Sequence, residues 1–127
     1  ASKLYPVTNG IIKNSIIHGN NNEELFLDYK INDEPVSTDF SVNISNCLIN
    51  GTSSSDPHFS SILWSSDLET VFFKTNNYPF NFELISTSAA RNTADMSIAN
   101  LYPIDKNKNS RIIDGQADMG AYEWQAP

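Results

Sequence analysis

Short apolar stretches separated by Asn, Ser and Gly dominate the pattern of the chain, and none keeps a helical spacing for long. In Ile12-Lys13-Asn14-Ser15-Ile16-Ile17-His18-Gly19, Ile12, Asn14 and Ile16 share one parity while Ile11, Ser15 and Ile17 share the other. That pattern predicts two very short strands hinged near Asn14. The same order of residue classes returns without a gap in Ile44-Ser45-Asn46-Cys47-Leu48-Ile49-Asn50-Gly51. Ile, Asn, Ser and Gly are mediocre to poor helix formers, so the unit reads as strand. Self-similarity at a spacing of about 20–50 residues is the mark of stacked coils, each burying its face on a neighbour. In such a stack Asn14 and Asn46 form a ladder that caps backbone groups at the bend. Gly19 and Gly51 supply a positive φ at the next corner. The spacing between the copies exceeds the roughly 20–25 residues of a plain coil, so one corner is expected to carry a loop.

Elsewhere the pattern predicts a strand over residues 25–29 and a turn at Asn32-Asp33-Glu34-Pro35, within residues 31–37. Residues 40–49 read as strand, bend, strand, and residues 52–59 as a Ser-rich turn. Residues 60–73 fit either a short helix or one more coil with a hairpin. Tyr78, Phe80, Phe82 and Leu84 alternate with Asn81 and Glu83, which predicts a half-buried strand over residues 78–85. Residues 86–94 suggest one helical turn, residues 101–111 a loop, and residues 117–124 a short final strand.

Composition narrows the function classes. A chain of 127 residues has room for one domain, read here as repeat-bearing coils to about residue 60 and a last coil with a terminal cap over residues 61–127. The net charge of −7 and eight scattered Lys and Arg residues argue against nucleic acid and against an anionic membrane surface. No apolar run approaches the roughly 20 residues of a membrane span. Ala1-Ser2-Lys3-Leu4-Tyr5-Pro6 is not a signal peptide, so an export signal is expected to be removed or to lie outside this sequence. Cys47 is alone, which excludes an internal disulfide, and its apolar neighbours read as a buried small hydrophobe.

Four segments, in order, resemble the C-terminal region of bacterial surface right-handed parallel β-helix proteins. That group is common among secreted Bacteroidetes proteins and related to polymorphic outer-membrane proteins. Asn14-Ser15-Ile16-Ile17-His18-Gly19-Asn20 looks like the late-coil motif N-S-I-I-x-G-N, and Asp56-Pro57-His58-Phe59 is similar to D-P-x-F. Residues 82–95 resemble the stretch carrying S-P-A-I-D-A-G. Asp105, Arg111 and Asp118-Met119-Gly120-Ala121-Tyr122-Glu123 resemble the terminal D-x-x-G-x-x-R … D-I-G-A-Y-E. Ser88-Ala89-Ala90-Arg91-Asn92-Thr93-Ala94 lacks the Pro, Asp and Gly of the family pattern, and Lys108 stands where the loop before the Arg has Gly, with Asn107 or Asn109 as candidates for the left-handed turn. The resemblance implies an all-β fold: a short single-stranded solenoid, closed by a C-terminal cap in which Gly120, Tyr122 and Glu123 belong to the motif.

Physical reading of that cap makes Arg111 a bidentate partner for a carboxylate, with Asp118 the first candidate, so that the pair pins the tail across the last coil. Asp105-Lys106-Asn107-Lys108-Asn109 alternates oxygens like a calcium loop. However, Ser110 and Gln116 stand where a calcium hand has Gly and Glu, and two lysines intervene; an ordered turn is the expectation. His18 and His58 belong to no spaced ligand set, and His18, aligned with Asn50, is expected on an exposed corner. No nucleophile elbow or phosphate-binding Gly-rich loop is present, and no metal or cofactor is expected. Tyr29, Trp64 and Tyr78 are candidates to stack on sugar rings. The expected function is a non-catalytic capping and interaction domain of a secreted or outer-membrane-surface bacterial protein. Its expected partners are upstream coils, polysaccharide or a second copy. The alternative is the C-terminal piece of a β-helix polysaccharide lyase or hydrolase, which rests on analogy of fold alone.

Overall fold

A computed structural model describes residues 6–35 and 40–127; Ala1 to Tyr5, and Val36 and Ser37 at the end of the expected turn, lie outside the described residues. Strands β1 (Val7–Lys13) and β2 (Ile16–Ile17) both pair in parallel with β5 (Phe40–Asn50), and β5 pairs in parallel with β6 (Phe59–Ser65). Ile12 faces Ile44, and Ile16 and Ile17 face Leu48 and Ile49, so the two repeats lie side by side in register. A third rung completes the stack, at the start of the stretch that the sequence reads as either a short helix or one more coil: Ile44 faces Phe59, Leu48 faces Leu63 and Ile49 faces Trp64.

The hinge is a column of left-handed residues. Asn14, Asn46 and Ser61 have φ of 50°, 51° and 53° at equivalent places in the three rungs. Asn tolerates this region better than most residues. Each bend also resets the alternation of side chains, because one residue is spent turning the strand. Ile44, Cys47 and Ile49 therefore share one face and Leu48 points to the other. Gly51 has the expected positive φ, at 159°, but Gly19 is not among the residues with positive φ. The lack of a side chain at both admits the Glu24 and Glu23 carboxylates against the corner.

Two cores flank this sheet. On one face Ile44, Cys47 and Ile49 are fully buried, with Ile12, Ile17, Phe59, Ile62 and Trp64 from the rungs and Leu25 and Leu27 covering them. On the other, Leu48 meets Val71, Leu84, Ala90 and Met119, with Ile16, Leu63 and Trp124 alongside. Burying each such aliphatic side chain contributes about 1.5–3 kcal/mol.

Outside the stack the chain departs from the expected β-helix. β3 (Lys30–Ile31) and β4 (Glu34–Pro35) form an antiparallel hairpin, as do β7 (Phe72–Lys74) and β8 (Asn81–Leu84). A short 3-10 turn (Leu68–Thr70) and one helix, α1 (Met96–Leu101), complete the elements among the described residues. A solenoid needs further parallel sheets running beside the first around a closed cross-section, and sheets of that kind are absent among the described residues. The fold is one small parallel sheet with two antiparallel pairs, mostly strand, and not a closed single-stranded solenoid. The connections explain why. Successive rungs are offset by 32 residues, from Ile12 to Ile44, and then by only 15, from Ile44 to Phe59, so the links cannot follow a common perimeter. In the longer link Asn32 and Asp33 take φ of 52° and 67°, the double left-handed turn that closes a two-residue hairpin.

Three local expectations also change. Residues 25–29 form no strand; Leu25 and Leu27 are irregular chain lying on the core. The helical turn lies at α1, after residues 86–94, because Asp95 caps it by accepting from the Ser97 N–H at 2.8 Å. Residues 117–124 form no strand, since single backbone bonds to several partners replace a ladder.

Candidate functional site

The C-terminal segment is tied down by a compact group of buried polar side chains. Asp105 precedes a turn in which its Oδ1 accepts the Asn109 N–H at 2.7 Å, and its Oδ2 accepts the Glu123 N–H at 2.8 Å. Asp118 reaches in two directions, Oδ1 accepting the Asn92 N–H at 2.7 Å and Oδ2 the Trp124 N–H at 2.6 Å. Both Glu123 oxygens accept the Asp118 N–H at 3.2 Å. Main-chain bonds extend the tie: Met119 N–H to Ala90 O at 2.9 Å, Ala94 N–H to Ala117 O at 3.0 Å and Gly120 N–H to Asn14 O at 2.8 Å.

Arg111 lies in this group, but its carboxylate partner is not Asp118. It donates to the backbone oxygens of Gly120 at 2.9 Å and Asp118 at 3.3 Å, and its ion pair at 3.5 Å is with Glu123. The Asp118 carboxylate is turned away, occupied by two backbone N–H groups. Burial pushes the Glu123 carboxyl up to about 7; the Asp118 N–H and the Arg111 charge work against this, and the Asp118 and Asp114 charges reinforce it. Gly120 is needed for its backbone, with a φ of 95°, and for space, since a Cβ there would stand 2.8 Å from Ile16 Cδ1. Tyr122 is half-buried, with the Lys106 ammonium 5.5 Å from its ring centre.

The bend residues connect to this group unequally. Asn14 reads the start of α1, donating from Nδ2 to Asp95 O at 2.9 Å and accepting the Asp95 N–H on Oδ1 at 2.7 Å. Asn46, in the middle rung, lies between its neighbours in the column. Cys47 is fully buried and bonds Ser45 O at 3.2 Å; burial pushes its thiol up, as befits packing and not nucleophilic chemistry.

The aromatic candidates part company. Tyr29 is only 8% exposed, stacked on Phe40 at 4.7 Å, and donates to Asp56 Oδ2 at 2.8 Å. Trp64 is half-buried against Phe59. Tyr78 is 85% exposed. Asp56 also bonds His58 Nδ1 at 2.6 Å, which makes Tyr29, Asp56 and His58 a closed corner contact. His18 is half-buried, with both ring nitrogens shielded and without a hydrogen-bond partner among the described residues, and so does not stand on an exposed corner.

At the oxygen-rich loop, Lys108 itself adopts the left-handed conformation, at φ 69°, in place of Asn107 or Asn109. The Asp105 carboxylate is spent on Asn109 and Glu123. No group of three His, Cys, Asp or Glu side chains arranged to hold a metal ion occurs among the described residues. No helix among them is long and apolar enough to cross a membrane. Comparison with protein-family models, with curated proteins and with solved structures finds no match for this chain.

Proposed function

We propose that the chain is a non-catalytic interaction module of a larger secreted or surface-anchored bacterial protein, its tail serving to close the parallel sheet while outer surfaces meet a glycan or another surface. One observation carries the reading. The buried carboxylates of Asp105, Asp118 and Glu123 are each occupied by main-chain N–H groups, so they hold the tail and are not poised toward a substrate. A general acid or base must lie within hydrogen-bond reach of the proton it moves. Among the described residues Glu123 alone has a carboxyl raised near neutrality, yet it is 8% exposed and bonded on both oxygens. The alternative, a piece of a polysaccharide lyase or hydrolase, would draw support from a pair of carboxylates both free of main-chain and arginine partners, or from a basic side chain facing open space.

The test is an assay of retention and turnover together, on neutral and acidic soluble polysaccharides. Retention without release of reducing ends or unsaturated products is the expected result. Turnover lost in Glu123→Gln would overturn the reading in favour of the enzyme.

A further inference from the structure

We propose that the cleft between the β7–β8 hairpin and the C-terminal tail binds a neutral sugar chain, an inference that rests on the interaction-module reading and names its site and ligand class. The cleft encloses about 430 Å³, within the roughly 300–1,000 Å³ usual for small-molecule sites. Phe73 enters from β7, Glu83 from β8, Asn107 from the loop before Arg111, and Trp124 and Gln125 from the tail. Phe73 is 69% exposed, so folding leaves a large apolar ring in water at the mouth of a concave surface. Trp124 is held in place by the Arg91 guanidinium, 3.7 Å from the centre of its ring.

The polar groups are oriented before any ligand arrives. Glu83 Oε1 accepts from Asn107 Nδ2 at 2.8 Å and Oε2 from Asn81 Nδ2 at 3.1 Å, while the Glu83 N–H is held by Asn81 Oδ1 at 2.8 Å. A carboxylate offers about four lone-pair positions, so acceptor capacity remains on both oxygens, and the Asn107 amide oxygen adds another acceptor. Holding these groups in place lowers the ordering cost of binding. Flat aromatic surface beside planar amide and carboxylate groups suits a pyranose ring, which has one C–H face and a rim of hydroxyls that donate and accept. Among the described residues lining the cleft none is Lys or Arg, and Glu83 presents its carboxylate there, whereas the Glu123 carboxyl is taken up by Arg111 and the Asp118 N–H. A uronate, sulfate or phosphate would therefore bring negative charge toward negative charge. An apolar peptide side chain would cover Glu83 and Asn107 without replacing their lost water.

Affinity electrophoresis of the full chain in gels containing a β-glucan, a galactomannan, a xylan or amylose, with polygalacturonate as acidic comparison, tests the assignment. Retention by at least one neutral polymer and not by polygalacturonate is expected. Phe73→Ala should weaken that retention roughly tenfold, in line with the contribution of one aromatic contact, and Asn107→Ala and Glu83→Gln should weaken it less. Tyr78→Ala, outside the cleft, should bind as the parent does. Phe73 and Asn107 are exposed, so melting curves matching the parent's will separate lost contact from lost fold. Retention by polygalacturonate alone, by none of the polymers, or equally by the parent and the three cleft variants overturns the cleft assignment while leaving the non-catalytic reading standing. Release of reducing ends would instead sink that reading.

Discussion

Lys108 occupies a backbone conformation that favours glycine, at φ 69°, and it does so because the turn must bring Asn109 back onto Asp105. A β-carbon in the left-handed region costs about 1–2 kcal/mol. The side chain is exposed, so nothing else is lost on removing it. Lys108→Gly is therefore expected to stabilise the fold by about 1 kcal/mol, net of the extra freedom glycine gives the unfolded chain. Urea denaturation checks this, and a lower midpoint would refute it. Three residues along, Arg111 behaves in the opposite way. Its removal leaves the Gly120 and Asp118 carbonyls without a donor and Glu123 without its cation. Arg111→Ala should cost about 3 kcal/mol, because buried acceptors left without a donor each carry a desolvation penalty. Arg111→Lys should recover only part of that, since an ammonium cannot reproduce the planar fork. If Arg111→Ala melted like the parent, the pinning role would be excluded.

At the level of elements, the three rungs differ in how far the sequence revealed them. Two rungs were legible because Asn, a small residue, an aliphatic pair and Gly recur in order. The third was legible only as one of two readings of residues 60–73, because Ser61 replaces Asn at the left-handed position, no Gly follows, and its offset is 15 residues instead of 32. The same inequality of offsets undid the solenoid, since a shared motif reports local pairing and says nothing of what the linking chain does. The tail motif signalled that Arg111 would meet an acidic group. Which carboxylate turned inward depends on loop torsions that spacing does not encode, and so Glu123 was missed in favour of Asp118. Phe73, Glu83, Asn107 and Trp124 come from segments with no shared periodicity, and only folding brings them together. The junction of tail and first rung offers a test of its own. Gly120 has a φ of 95° and abuts Ile16, whereas Gly115 has a φ of 78° with open space around it. Gly115→Ala should therefore cost about 1 kcal/mol from the backbone alone, and Gly120→Ala about 2–3 kcal/mol, the excess reporting the contact with Ile16. Equal costs would mean that the tail does not press on the first rung.

For the whole molecule, stability against pH is set by carboxyl groups displaced in opposite directions. Burial raises Glu123 from 4.5 to about 7, so the folded chain holds a proton there that the unfolded chain releases. That contribution is fully present below about pH 4.5 and is lost as pH rises through 7, on the order of 3 kcal/mol in all. Asp56 and Asp95 act at the other end. Burial opposes the charge on Asp56, but the N–H and ring of His58 and the Tyr29 hydroxyl outweigh it and hold the carboxyl below 3.8. The hydroxyl and N–H of Ser97 lower Asp95 in the same sense, against desolvation and with help from Lys13. Their stabilisation is present above about pH 3.8 and is lost as acid protonates the folded state. Melting temperature should accordingly peak near pH 4–5 and decline toward pH 8. Glu123→Gln keeps an oxygen to accept the Asp118 N–H but carries no titrating proton, so its curve should lose the decline between pH 5 and 8 while keeping the acid limb. Asp56→Asn should keep that decline and shrink the acid limb to the part that Asp95 carries. Thermal melts of the parent and both variants across pH 3–8 decide the matter, and parallel curves for parent and Glu123→Gln above pH 5 would show that the buried tail carboxyl does not govern the neutral limb.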